Sequence, residues 1–207
     1  AWFVEKYVPK YISLVSVVIV FHIVISWYVS LSFDGIPFLI AEQVDKKENF
    51  IWEDGKSYDI PQDMADMRGW KQIGQIVRET YVEISNDERK RCDIFCNHYG
   101  QAGAVMFYGK DAGLPQPISF NASFIFWSPD SLTSHHVIWV LSGTENTKNA
   151  DSMLLKLFDR VELTSVINDP YFRENGTRIY ICTTPNDSAR NFYKEEIATL
   201  KEKYGCY

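Results

Sequence analysis

Eight consecutive residues, Asn97-His98-Tyr99-Gly100-Gln101-Ala102-Gly103-Ala104, place an amide, an imidazole, a phenol and two glycines between an apolar run and the start of a helical pattern. At a strand-to-helix turn such a set can do two kinds of chemistry. Its backbone N–H groups, with the positive end of a helix dipole behind them, can hold an anion. Its polar side chains can hydrogen-bond a substrate in the crevice where open α/β sheets place ligands. Gly100 and Gly103 would let the chain turn sharply and let the helix approach the sheet. As a dinucleotide fingerprint the run is incomplete. His98 stands where the first glycine of G-x-G-x-x-G belongs, and no acidic residue follows about 20 residues on, where Asn121 is the nearest polar group. No Gly-Lys-Ser/Thr occurs, so a Walker A loop is absent. Two roles remain for Asn97, Tyr99, Gly100, Gln101 and Gly103: contact with a substrate, or closure of the turn with Asn97 as the cap.

A second group lies at Asn121-Ala122-Ser123-Phe124-Ile125-Phe126-Trp127. Amides and hydroxyls bond sugar hydroxyls, and flat rings stack on pyranose faces, so Asn121, Ser123 and Trp127 are candidate carbohydrate contacts. The alternative is a loop whose aromatics cover the end of a sheet. His98, His135 and His136 have no His or Cys three or four residues away on a helix, and the four cysteines lack zinc spacing, so no metal or other cofactor is expected. Cys92 and Cys96, on one strand, would stand roughly 13 Å apart, too far to bridge. No G-x-S-x-G elbow is present. Asp63 and Asp66 suit a helix start, where the dipole favours carboxylates. No residue is assigned a catalytic role.

The elements that must position these groups alternate. Residues 67–84 repeat apolar side chains at helical spacing, with Trp70, Ile73, Ile76 or Val77, and Thr80 or Tyr81 on one face and Lys71, Arg78 and Glu83 off it. Cys92–Cys96 reads as a buried strand, and the turn leads into a helix ending before Gly113-Leu114-Pro115. A short strand follows at Pro117–Phe120, an aromatic loop over 121–130, and an apolar strand at His136–Leu141 that His135-His136 opens. A helix over 150–160, strands at 161–167 and 177–183 and a helix over 188–204 complete the pattern. This order predicts an α/β fold: a Rossmann-like three-layer domain over 67–207 with a mainly parallel sheet.

The first 36 residues differ in kind. Tyr11 to Phe33 contains no Asp, Glu, Lys or Arg, and as a helix it would run roughly 34 Å, enough to cross a bilayer core. Trp2, Phe3, Tyr7 and Tyr11 before it, and Trp27, Tyr28 and Phe33 after it, match an interfacial belt. A signal peptide would have a shorter apolar core, as would a helix buried in a protein. His22 would lie in the middle of the span, facing a neighbouring helix or tolerated alone by lipid. One transmembrane helix is therefore expected over 1–36, broken by Asp34-Gly35-Ile36-Pro37, with a mixed lead-in over 37–66. The lysines on either side nearly cancel and set no orientation. The 207 residues, 46% hydrophobic and 15% aromatic, suffice for one globular domain besides. A net charge of −6 without a basic run excludes a nucleic-acid footprint.

Taken together, Pro61-Gln-Asp-Met-Ala-Asp-Met-Arg-Gly-Trp70, the run from Asn97 to Ala104, Gly113-Leu-Pro-Gln-Pro-Ile-Ser119 and Asn121–Trp127 resemble the carboxy-terminal region of bacterial membrane glycosyltransferases of the dolichyl-phosphate-mannose–protein mannosyltransferase type. That is glycosyltransferase family 39, of GT-C architecture, and the resemblance covers roughly residues 58–185. Relatives often carry Gly-His-Asn-Ser before the aromatic loop, where this chain has Ser119-Phe120-Asn121-Ala122-Ser123. The resemblance implies the last membrane helix and extracytoplasmic domain of an enzyme that uses a polyprenyl-phosphate sugar. It implies as partners the rest of that enzyme's membrane core, a lipid-linked sugar and an acceptor, at the outer face of the inner membrane. The family's catalytic acidic residue lies in an amino-terminal loop, so this chain would be accessory to catalysis. The competing expectation is a ligand-binding domain held to the membrane by a single span and not itself an enzyme.

Overall fold

A computed structural model of the chain describes residues 14–28, 50–143 and 150–205. The chain forms two compact units, Ala1–Met64 and Ala65–Tyr207. In the first unit, residues 14–28 form helix α1, with nearly all side chains exposed. Strands β1 (Phe50–Ile51) and β2 (Ser57–Tyr58) form a two-stranded antiparallel ribbon. Trp52 stacks on Tyr58 with ring centroids 3.6 Å apart and donates its indole N–H to the Ile60 carbonyl at 2.8 Å.

The expected transmembrane helix is corrected here. No helix among the described residues is long and apolar enough to cross a membrane. Inside α1, the His22 ring nitrogen Nδ1 lies 2.9 Å from the Val18 carbonyl one turn back, so its polar edge is engaged by its own helix. The expected break at 34–37 and the first part of the lead-in lie outside the described residues, as does Cys206.

The second unit follows the short α2 (Gln62–Asp66) with α3 (Trp70–Glu83), α4 (Asn86–Arg89), β3 (Cys92–Cys96), α5 (Tyr99–Gly109), a 3-10 turn (Lys110–Ala112), α6 (Phe124–Trp127), β4 (His136–Leu141), α7 (Ala150–Leu157), β5 (Phe158–Val166), β6 (Arg178–Pro185) and α8 (Asp187–Lys203). Helix α3 starts three residues later than its periodicity suggests. Gly69 precedes it in the left-handed region, with φ 77°, and a Cβ there would fall 2.4 Å from the Phe172 ring. Ile73, Val77, Thr80 and Tyr81 form its buried face.

The sheet order is β3-β4-β6-β5. Alternation along each strand fills two layers. Ile94, Cys96, Ile138, Val140 and Ile179 pack with Ile73, Val77, Ala102 and Val105 of α3 and α5. Phe95, Val137, Leu141, Tyr180 and Cys182 pack with Leu154 of α7 and Tyr193 and Ile197 of α8.

The α/β class and the helices on both faces agree with the sequence, but the mainly parallel, Rossmann-like sheet does not. Only β3 and β4 are parallel; β4–β6 and β6–β5 are antiparallel. The reason is the connection: β5 and β6 are joined by 167–177, which contains no helix, and a pair without a crossover returns antiparallel. Strand β6 then inserts between β4 and β5. The strand expected at 117–120 reduces to one parallel bridge, Ile118 to Phe95, in which Ile118 N–H donates to Ile94 and Cys96 N–H to Ile118, both at 2.8 Å. The helix expected over 150–160 stops at Leu157, because Phe158 pairs with Pro185 and turns its ring into the core.

Candidate functional site

Helix α5 starts where β3 stops pairing. Asn97 N–H still donates to the Val140 carbonyl of β4, at 3.1 Å, so Asn97 belongs to the end of the ladder. His98 is the first residue free to cap, and its Nδ1 accepts the Gly100 N–H at 3.1 Å. The expected Asn97 cap is therefore replaced by His98. Because Nδ1 accepts, the ring proton sits on Nε2, which bonds a carboxylate oxygen of Glu174, Oε1. The other carboxylate oxygen accepts from Gln101 Nε2 at 2.9 Å. Gln101 Oε1 in turn accepts a second bond from Asn97 N–H, at 3.0 Å. The circuit closes with every polar atom of His98 and Gln101 in use.

Gln101 is 0% exposed and Glu174 is buried with it. A buried carboxylate needs hydrogen-bond donors and favours the positive end of a helix, and here it has both. Glu174 thus takes up the side-chain donors at the start of α5. With Nδ1 and Nε2 both engaged, His98 has no nitrogen left to act as a base toward a substrate.

The loop carrying Glu174 is itself anchored. Arg68 donates from Nη2 and Nε to Asp169 Oδ2 at 3.1 and 3.2 Å, and lies over the Tyr171 ring at 5.7 Å. Arg173 pairs with Asp66 at 3.1 Å, so Asp66, which ends α2, serves a tertiary ion pair in place of the expected helix start. Trp70 packs edge-on against Phe172 at 5.2 Å and against His98 at 6.2 Å. Within the loop, the Thr177 hydroxyl donates to the Glu174 carbonyl at 2.8 Å.

The structure brings Asn97, Gly100 and Gln101 together, but as parts of this network. Gly100 has no positive φ, and a Cβ there would lie 3.1 Å from both the His98 and Trp70 rings. Gly103 also lacks a positive φ and has nothing within 4 Å of an added Cβ, so it does not seat the helix on the sheet as expected. Tyr99 projects outward and is 59% exposed.

The second candidate group stands apart in the fold, on and before α6, which packs against α8. Ala122 has φ 54°, and the chain then makes one helical turn. Phe124 enters one core layer and Ile125 the other. That leaves Asn121, Ser123, Phe126 and Trp127 exposed, Trp127 at 58%. Helix α8 holds the exit of this turn: Lys201 donates to the Ser128 carbonyl and Tyr193 to the Pro129 carbonyl, both at 2.7 Å.

At the opposite end of β4, buried His136 lies between the Thr183 hydroxyl, 3.3 Å from Nδ1, and Glu88, 3.5 Å from Nε2. The hydrogen bond from Ser85, followed by the neighbouring His136, holds the Glu88 carboxyl below its usual range. Burial raises the Asp93 carboxyl, which the nearby Ser134 only partly offsets. Burial also pushes the thiols of Cys92 and Cys182 up to about 12 and raises that of Cys96. Among the described residues no three His, Cys, Asp or Glu side chains converge as metal ligands.

Glu174 is the functional-network residue that sequence reasoning misses. It stands 73 residues from Gln101, inside a loop with no motif, and nothing local marks it. No protein-family model, curated protein or solved structure matches the chain.

Proposed function

We propose that residues 65–207 form a non-catalytic accessory domain of a glycosyltransferase that draws on a lipid-linked sugar, and that the loop 121–127 contacts carbohydrate. One observation carries this reading. The side chains of His98 and Gln101 in the glycine turn are taken up by Glu174 and by backbone N–H groups, whereas Asn121, Ser123, Phe126 and Trp127 face solvent on a turn braced from behind. Large exposed rings beside amide and hydroxyl groups suit binding at a surface, where an indole offers a flat apolar face. Such a set holds no carboxylate or imidazole to act as acid or base or to activate the Ser123 hydroxyl, which fits an accessory role. The resemblance of Pro61–Trp70, Asn97–Ala104, Gly113–Ser119 and Asn121–Trp127 to family 39 glycosyltransferases supplies the enzyme class. On this reading the catalytic groups and the membrane core belong to other parts of the enzyme. The domain works on the extracytoplasmic side, where a lipid-linked sugar meets its acceptor.

The test is transfer by the enzyme that contains this chain. Trp127→Ala should lower transfer about tenfold, the loss of roughly 1.4 kcal/mol of stacking, while thermal melting stays unchanged because the ring is exposed. Transfer at the normal rate in this variant would discard the carbohydrate contact. Sugar transfer by residues 65–207 alone would discard the non-catalytic assignment.

A further inference from the structure

Strand β5 ends the sheet. Among the described residues it pairs on one side only, with β6, so its outer row of N–H and C=O groups is an open template. It is nine residues long and six of them are exposed, with Leu163 at 48% and Val166 at 43%. β5 is not short and carries no proline; its exposed charges and its one irregularity restrict which registers a second strand can take. Its single irregularity lies between Leu163 and Ser165, which leaves 158–163 as a regular stretch.

Within that stretch Arg160 and Glu162 share one face with Val161 between them, and their charged groups are solvent-exposed and 2.9 Å apart. Residues opposite each other in an antiparallel pair must share a face, so a two-fold axis between two copies falls on a residue. With the axis at Val161, Arg160 meets Glu162 of the partner subunit, and the reverse pair repeats across the axis. With the axis at Arg160 or Glu162, like charges meet directly, which is destabilising. With the axis at Leu163 the pairing runs into the irregularity. We propose that β5 is a homodimer seam, in which a second copy of this chain adds antiparallel in the register centred on Val161 and joins the two sheets into one.

Charge exchange tests the register. Sedimentation equilibrium of the full 207-residue chain should show a species of twice the 24.0 kDa chain mass in equilibrium with monomer. Arg160→Glu turns both cross-seam pairs repulsive and should weaken dimerisation at least about tenfold. The double variant Arg160→Glu with Glu162→Arg restores complementarity and should return the constant to near that of the parent chain. At concentrations low enough for all three to be monomeric they should melt alike, since exposed ion pairs contribute little to the fold of one chain. A strictly monomeric parent chain would overturn the proposal. So would a dimer indifferent to Arg160→Glu, or one that the double variant fails to restore.

Discussion

Glu174 is the residue on which the turn closes. Two donors from α5 and its cap, Gln101 Nε2 and His98 Nε2, end on its carboxylate. Removing a buried acceptor leaves both donors without a partner, and each such loss costs about 1–3 kcal/mol. Glu174→Ala should therefore lower unfolding free energy by about 2 kcal/mol or more in urea titrations. Glu174→Gln, which keeps one acceptor oxygen, should lose less. Equal stability of Glu174→Ala and the parent chain would mean that the circuit does not hold the loop. The same residues show why the cap was misread. Asparagine outranks histidine as a cap, so Asn97 is the natural choice from sequence. Which residue can cap is decided by where the ladder ends, and that is set by Val140 on β4, 43 positions away.

Between elements, α3 and α5 approach closely at Gly74. A Cβ on Gly74 would lie 2.6 Å from Tyr108 Cβ and 2.8 Å from the Ala104 carbonyl oxygen. Neither atom can yield without moving a helix, so Gly74→Ala should destabilise by about 1–3 kcal/mol, the usual range for overpacking. Gly103, one residue before Ala104, faces open space. There Gly103→Ala should stabilise by about 0.5–1 kcal/mol, because it restrains a helical position at no steric cost. Calorimetric melts of the two variants should move in opposite directions, and a parallel shift would refute this account of the crossing. From sequence, Gly100 and Gly103 carry the glycine pattern while Gly74 looks incidental. A helix-packing glycine has no motif of its own, because its need arises from the partner helix.

At the scale of the whole domain, the sheet is clamped between two core layers that share every central strand. Cys92 and Cys96 lie in one layer and Cys182 in the other, all three buried as free thiols. Burial keeps them protonated, and a thiol reacts only as its thiolate. If the layers open together, as small domains usually do, the three should label in one kinetic phase at the rate of global unfolding. A Cys206→Ser variant confines the signal to these three in a thiol-labelling time course at pH 8. Faster labelling of Cys182 alone would show that the α7–α8 layer opens independently.

The sequence by itself determined the types of the longer elements of this domain. Periodicity of 3.6 marked α3 and α8, continuous apolar runs marked β3 and β4, and Gly113 marked the end beyond α5, because these signals are local and each residue carries its own share. It also determined that 121–127 pairs rings with amides. Strand direction was legible only in part. The alternation of elements points to a mainly parallel sheet, and only the structure shows the helix-free connection over 167–177 returning β6 antiparallel to β5. The tertiary structure alone decided that β6 inserts between β4 and β5, since strand order is a choice among partners that local pattern does not rank. It alone brought Glu174 to the start of α5, and so turned a candidate ligand site into an internal bond circuit. It also decided that α6 sends one ring inward and leaves the next rings exposed, because burial depends on what the rest of the chain places behind each side chain.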